Sequence, residues 1–466
     1  MVTDLTSIIK SLTSAIECNI ETFTEMCKGI YCISSGGVTQ ENISRWTGLH
    51  GSYRSIQRLI NKKIAWLSLN IVLLKEHWME GTSSENYILA VDEVVSKKAG
   101  KRTYGVNWFY SSIAGKAIRS ISFHAISLVD IKREASFALD QIQNVKEAKV
   151  KVGKKETKKA SVKKSKKQCD TKVSQADNAV KNKLAGRPKG SKNKQNTKEM
   201  SSLSIGFKDL LNAVITPLAG IGIYLKHVVA DGAYGNKTCM MIGLEAGLDL
   251  ISKLNRNSAL FLPYAGMYSG KGAPRKYGEQ LKYNNLPIEN LKNEKSDKGI
   301  KTQIYQFKGL WSKHLPQLIN VVLIQKTDIE TKKTARVLLF SSDIELDWEK
   351  LIRCYSLRFQ IEFNFRDAKQ YFGLADLKNI NEISVKNAVG MAFFMDNLSL
   401  ILIQKAKVKY QTEECSIQDL KAMFRADFYL KNILNTLDLD DNTILNDSIF
   451  QNIFHIGAVN IKKRAS

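Results

Sequence analysis

Cysteine is sparse and scattered in this chain. There are seven (18, 27, 32, 169, 239, 354 and 415), with no Cys-x-x-Cys pair and no nearby histidine to complete a zinc site. That excludes a zinc module and predicts reduced thiols, as in a cytoplasm. No run of about 20 uninterrupted apolar residues occurs, so no membrane-spanning helix is expected. The first residues alternate polar with apolar types, unlike a secretory leader. A Walker loop, a dinucleotide fingerprint and internal repeats are all missing, which removes the common nucleotide-dependent and solenoid classes. Proline is rare, at 6 of 466 residues, and 44% of the chain is hydrophobic, so the composition is globular with ample core. Negative charge is the real deficit: 45 Asp and Glu face 70 Lys and Arg, a net +25. Such an imbalance needs a polyanionic partner, most simply nucleic acid, with an acidic membrane surface as the lesser option.

Residues 1–82 read as a helical region. Val38 to Leu49 gives a short helix and a glycine turn, and Ser52 to Lys63 a basic second helix. Short helix, turn and basic helix form the helix-turn-helix outline, which would aim Arg54, Gln57, Arg58 and Lys62 at bases and phosphates; a plain helical hairpin fits the pattern as well. From Asn86 the texture changes. Tyr87–Asp92 reads as a buried strand with a carboxylate at its tip, and 106–112 and 121–129 as a hairpin ending at Asp130, a turn former. Residues 146–200 hold nineteen Lys and Arg against five Asp and Glu, which accounts for +14 of the net charge. This stretch reads as a mobile tether. Within it Gly186-Arg187-Pro188-Lys189 resembles an AT-hook, which would lay Arg187 and Lys189 in a narrow minor groove; a lysine tether holding any phosphate backbone is the equal alternative. A helix (204–216) follows, then a second buried strand (221–231) ending in Asp231-Gly232, a helix (236–246) and a strand (249–253). Residues 255–345 look like an inserted β-rich domain. A buried helix spans 384–405, and 406–466 reads as helical and peripheral.

Between the insertion and the buried helix lies the most informative segment, Tyr355 to Lys369. As an α-helix it brings Tyr355, Arg358, Glu362 and Lys369 within an arc of about 60°. Leu357, Ile361, Phe365, Ala368 and Phe372 form an apolar stripe on one flank, and Phe359 and Phe363 lie on the other. Strict alternation from Leu357 to Phe365 is also a strand signal. Helix is preferred because no Gly or Pro interrupts 341–372 and Gly373 then supplies a stop. The bland account is an amphipathic helix with a surface Arg358–Glu362 ion pair. Three acids nevertheless stand out in a cationic chain: Asp92 and Asp231 at strand tips, and Glu362 on the helix. Hard oxygen donors of this kind suit one or two Mg²⁺ or Mn²⁺ ions.

Asp92, Asp231-Gly232 and the Tyr355–Arg358–Glu362–Lys369 spacing resemble the DDE transposases of bacterial insertion sequences, in particular the group with a Tyr-Arg-Glu-Lys signature. The resemblance spans about 86–405. It implies an α/β fold, an RNase H-like core of mixed sheet flanked by helices. That core would be split into 86–254 and 346–405 around the inserted β-rich domain, with the N-terminal helical domain ahead of it. It further implies that Asp92, Asp231 and Glu362 hold two Mg²⁺ or Mn²⁺ ions, which activate water or a DNA 3′-hydroxyl and stabilise the leaving oxygen. Tyr355, Arg358 and Lys369 would grip phosphates near the cleavage site. The implied partners are double-stranded DNA (terminal inverted repeats and target) and a second copy of the chain on paired ends. The implied location is the nucleoid of a bacterial cytoplasm. Some relatives stack a flipped base on an aromatic residue, for which Trp108 and Trp311 are candidates. Two alternatives remain: a non-catalytic, domesticated DNA-binding protein, and a metal-dependent nuclease on the same core. A tyrosine recombinase would instead rest on Tyr355 as a nucleophile.

Overall fold

The computed structural model describes residues 1–81, 85–146, 200–268, 270, 272–438 and 453–460. Residues 1–145 and 201–466 form one compact unit. Nearly all of 146–200, with Arg187 and Lys189, lies outside the described residues.

Five helices open the chain: α1 (Val2–Ser11), α2 (Ile20–Cys32), α3 (Gln40–Ser44), α4 (Tyr53–Ile60) and α5 (Trp66–His77). Local chemistry starts three of them. Asn19, Thr39 and Ser52 each accept a backbone N–H from the first turn of α2, α3 and α4. The buried face of α4 is Ile56, Leu59 and Ile60, while Arg54, Gln57, Arg58 and Lys62 are exposed, as a helix-turn-helix and a plain helical hairpin both expect.

One 12-stranded sheet follows. Its first strands are β1 (Tyr87–Lys97), β2 (Asn107–Ser111), β3 (Lys116–Asp130) and β4 (Ala135–Gln143). After α6 (Ser202–Gly220) come β5 (His227–Ala230), α7 (Lys237–Glu245) and β6 (Asp249–Leu254). Then β7 (Leu260–Pro263), β8 (Tyr277–Gln280), β9 (Leu291–Asp297), β10 (Ile300–Ser312), β11 (Ile319–Asp328) and β12 (Thr334–Ser341) lead to α8 (Trp348–Leu357), α9 (Gln360–Tyr371), α10 (Glu382–Tyr410) and α11 (Ile417–Thr436). Strand order is β2-β3-β1-β5-β6-β12-β11-β10-β7-β8, with β4 on β3 and β9 on β10. β3 lies antiparallel to β1, whereas β5 and β6 run parallel to it. A mixed sheet of this order, covered by helices, is consistent with an RNase H-like core. β5 and the first five residues of β1 are buried, which explains why they read as continuous apolar runs.

Several sequence expectations shift in the folded chain. The 255–345 segment does not start a new sheet: β12 pairs with β6 from Leu338↔Leu254 to Ser341↔Ile251, so hydrogen bonding passes unbroken from the core strands into it. Alternation shows that a strand has a buried face, not which sheet it joins. β4 escaped the pattern because a register shift near Ser127 interrupts its alternation. The second Asp-bearing strand is four residues long, since Gly222, at φ +85°, turns the chain after α6. Asp130 is the turn former expected, accepting the Lys132 and Arg133 N–H groups at 2.9 and 2.8 Å. The C-terminal helix α11 is not peripheral: Phe424 stacks on Tyr31 of α2 at 4.6 Å, and Lys421 reaches the Ile30 carbonyl at 3.0 Å. α10 is the one described helix long and apolar enough to span a bilayer, yet 78% of its apolar window is buried in the fold. Its polar Asn387 and Asn397 reach sideways to the Ile60 and Ala138 carbonyls, tying α4 and β4 to the same helix. The six cysteines among the described residues are free thiols.

Candidate active site

Register decides where the first two acids meet. In the parallel β1–β5 pair, Ala90 faces Val229 and Val91 faces Ala230. The next residues are Asp92 and Asp231, so the two acids stand side by side on neighbouring strands whose axes lie about 4.8 Å apart. Asp231 follows the end of β5, but Asp92 sits midway along β1, which runs on to Lys97, and not at a strand tip as the sequence suggested. A short 3₁₀ turn, Gly232–Tyr234, begins there, with Asp231 accepting the Gly232 N–H at 2.6 Å. Two contacts hold the turn. Ser252 of β6 donates to the Asp231 carbonyl at 2.9 Å, and a Cβ at Gly235 would come within 2.8 Å of the Lys253 carbonyl, so only glycine lets the strand approach. Tyr234 is buried beneath, its hydroxyl 3.3 Å from His124 Nδ1 and its ring against Phe207.

The Tyr355–Lys369 segment is helical, but as two helices rather than one. α8 ends at Leu357 and α9 begins at Gln360. Arg358 and Phe359 keep right-handed helical dihedrals while the hydrogen bonds tighten to three-residue spacing (Phe359 N to Ser356 O, Ile361 N to Arg358 O). The helical direction is therefore kept, and so is the predicted stripe: Leu357, Ile361, Phe365, Ala368 and Phe372 are all buried. Gly373 ends the run at φ +81°, where a Cβ would meet Val38 at 2.5 Å. Phe359 and Phe363 do not face a closed cleft wall. Their rings meet edge to face at 5.5 Å and stay 49% and 37% exposed, forming an open aromatic rim beside the polar row.

Asn364 anchors α9, and nothing in the sequence singled it out. Fully buried, it accepts from the Ser127 and Ser136 hydroxyls and donates to the Ser136 carbonyl (3.0 Å) and to Asp396 of α10 (2.8 Å). An asparagine inside an apolar stripe was the available signal.

Arg358 sits at the centre. Its guanidinium bonds Asp92 at 2.6 Å and Glu362 at 3.2 Å, and lies 5.9 Å from the centre of the Tyr355 ring. The Asp92 carboxyl is pushed up to about 6 in all: burial raises it most, Arg358 and the Glu93 N–H pull it down, and Asp231 and Glu362 add to the rise. Burial opposes the charge on Arg358, but Asp92 first, then Tyr355, Asp231 and Glu362, outweigh it and raise its pKa. Burial also raises the Tyr355 phenol and lowers the Lys369 ammonium, a half-buried cation in the last turn of α9. Four of the predicted residues (Asp92, Tyr355, Arg358 and Glu362) are thus tied together directly, and Asp231 joins them electrostatically. Arg54, Gln57 and Arg58 lie on α4, and Trp108 and Trp311 lie on β2 and β10.

A second group went unforeseen. His227, Asp249 and Asp343 bring ligand atoms within 4.8 Å of one another, the one group of three or more that does so among the described residues. It lies at the opposite end of β5 and β6 from Asp231. Lys226 already bonds Asp343 at 2.7 Å, and Ser342 donates to Asp249 at 2.6 Å. Asp92, Asp231 and Glu362 are spaced more widely, with a guanidinium between two of them. The donor set itself fits divalent ions: hard carboxylate oxygens, one of them raised chiefly by burial, which a bound cation would offset.

No curated protein gives a significant match to the chain. Residues 30–306, more than half of the sequence, match the family model of the DDE superfamily endonucleases. That span takes in Asp92 and Asp231 and stops before Glu362. Membership implies metal-dependent cleavage of DNA, in keeping with a mixed α/β sheet, carboxylates side by side on neighbouring parallel strands and a large excess of positive charge. The chain belongs to the DDE superfamily endonuclease family.

Proposed function

We propose that the protein is a DDE transposase that hydrolyses phosphodiester bonds at the ends of a mobile element and joins the freed 3′-hydroxyls to target DNA. The observation that supports this reading is that Arg358 ties Asp92 of β1 to Glu362 of α9, while the β1–β5 register sets Asp231 beside Asp92. Asp92, Asp231 and Glu362 are the residues that would hold two Mg²⁺ or Mn²⁺ ions. Bound there, the ions supply Lewis acidity and a nucleophile generated at neutral pH. Arg358 suits a bidentate contact with the phosphate flanking the scissile bond, and Tyr355 and Lys369 extend that grip along the strand. The open rim of Phe359 and Phe363 supports a further role in holding an unstacked base. No protein nucleophile is needed, and Tyr355, beside Arg358 with its phenol raised, is poorly disposed to become one.

A nuclease without strand transfer is the second reading, favoured by the endonuclease description of the family itself. One assay separates the two. Pre-cleaved element ends with a free 3′-hydroxyl, incubated with supercoiled target and Mg²⁺ or Mn²⁺, yield joined products under the first reading and only nicked target under the second. The substrate ends follow from the genome, where short inverted repeats should flank the reading frame. Substrate ends that are nicked equally by wild-type protein and Glu362→Gln refute both.

A further inference from the structure

Beyond the acid trio, the face of β1 that carries Asp92 leads somewhere. Residues 92, 94, 96 and 98 alternate toward the segment that follows α9. Asp92 meets Arg358, Ser96 donates to the Leu374 carbonyl at 3.0 Å, and Lys98 donates to the Ala375 and Leu377 carbonyls at 2.9 and 3.1 Å. At the end of this seam opens a cleft of about 770 Å³, with Lys97, Lys98, Lys101 and Arg102 on one wall and Lys378 on the other. Lys98 is consumed in holding the walls together. Lys97, Lys101, Arg102 and Lys378 are exposed and make no ion pair among the described residues. No acidic residue is among those lining the cleft, and the nearby Asp376 is occupied in accepting the Val38 N–H at 3.1 Å.

The cleft runs on into a groove of about 690 Å³ that shares Leu377, Lys378 and Ile380 with it and reaches Tyr53 and Gln57 of α4 and Asn61 at its C-terminal end. A basic cleft therefore lies between the candidate active site and the basic helix of the N-terminal region. Six residues of strand separate Asp92 from Lys98, about 20 Å, which is about six base-pair steps of duplex. None of the residues lining the cleft is aromatic, so it offers cations to a backbone but no stacking surface to unpaired bases.

We propose that the Lys97–Lys101–Arg102–Lys378 cleft is a phosphate-backbone site for the duplex flanking the scissile bond, leading that duplex from the acid trio toward α4. The inference rests on the reading of the trio as a DNA-cleaving site, and names where its duplex partner lies.

The test is equilibrium binding of a fluorescent duplex of about 30 base pairs to the full chain without divalent metal, across salt from about 50 to 200 mM, with a single strand of the same length as the second arm. Lys97→Glu/Lys101→Glu is compared with Lys332→Glu/Lys333→Glu, an equal charge change at the β11–β12 turn, three to four strands from β1 in the sheet. The cleft pair should weaken duplex binding at least about tenfold and flatten the salt slope by about 1.8, the value for two lost phosphate contacts, while the distant pair changes affinity less than about threefold. Equal losses from both pairs would mean that bulk charge alone binds, and overturn the proposal. So would a cleft-pair loss as large for the single strand as for the duplex. The neutral Lys97→Gln/Lys101→Gln pair, checked by thermal unfolding, must move affinity in the same direction by a smaller amount; no change in it refutes the site even if the Glu pair misfolds. Failure of the trio reading shows up separately, as Asp92→Asn protein that still nicks DNA.

Discussion

The two ends of β5 carry similar chemistry and opposite environments. At its start, His227 joins Asp249 and Asp343 in a group closed enough for one ion, yet every member is already engaged by a neighbour, and the Asp343 side chain is only 9% exposed. Burial would raise the Asp343 carboxyl, but Lys226 and His227 outweigh it and hold it below the usual range. Just beyond its other end, Asp231 lies beside Asp92, which Arg358 ties to Glu362 in a wider arrangement. Glu362 stays 39% exposed, Asp92 is pushed up to about 6, and cations and phenylalanines ring the opening. Proximity of ligand types therefore does not single out the working site. The difference lies in access: the proposed site shares one guanidinium between two acids and stays open to a polyanion, whereas the closed group reads as a structural clasp between β5, β6 and the chain after β12.

Mutation at both ends breaks or sharpens that contrast. The largest effect is expected from Glu362→Gln or Asp92→Asn, which should cut Mg²⁺-dependent nicking by about a thousandfold or more while DNA affinity stays within a factor of a few. Asp343→Asn should leave nicking intact and lower unfolding stability by about 1–2 kcal/mol, because Lys226 and His227 lose an ionised partner. If Asp343→Asn abolishes nicking instead, the assignment of the two ends is reversed.

Next in size is Asn364→Ala. Ser127, Ser136 and Asp396 would be left with buried unpaired groups, a cost of about 2–3 kcal/mol in a denaturant titration, with cleavage lost in proportion as α9 loosens. Arg358→Ala gives a smaller effect with an informative sign. Removing the cation that spans Asp92 and Glu362 should strengthen Mn²⁺ binding without DNA by about tenfold, read by calorimetry, even as nicking falls. Unchanged or weaker Mn²⁺ affinity would show that the guanidinium does not stand where an ion binds.

The gentlest probe is pH. Asp92 has its folded carboxyl raised from 3.8 to about 6, so its protonated form favours the fold. That contribution is full below the unfolded value and is lost as pH rises through about 6. The stability of metal-free wild type minus that of Asp92→Asn should therefore decline between about pH 4 and pH 6 and level off above, in thermal melts. Saturating Mg²⁺ should flatten the decline.

Much of the site was legible in sequence because it depends on local rules. Helical periodicity put Glu362 and Arg358 on one face and foretold the buried stripe from Leu357 to Phe372. The apolar runs leading into Asp92 and Asp231 were legible as buried strand, but the continuation of β1 from Asp92 to Lys97 was not, because its later residues are only partly buried. The break at Arg358–Phe359 was not legible, because no glycine or proline causes it and the dihedrals remain helical. The exposed setting of Phe359 and Phe363 was equally hidden, since hydrophobicity marks a candidate core residue without saying whether a neighbour arrives to cover it.

Sequence by itself determined the identity and order of the three acids, the helical face that carries one of them, and the cationic balance that calls for a polyanion. These follow from residue type and from periods of two and 3.6. Tertiary structure alone decided that Asp92 and Asp231 stand side by side, that β12 hydrogen-bonds to β6 and continues the sheet, that Asn364 clamps α9, and that Lys97 to Arg102 face Lys378 across a cleft. The reason is physical: strand register and helix docking are fixed by hydrogen bonds and packing between segments far apart in the chain, whose relation no local pattern encodes.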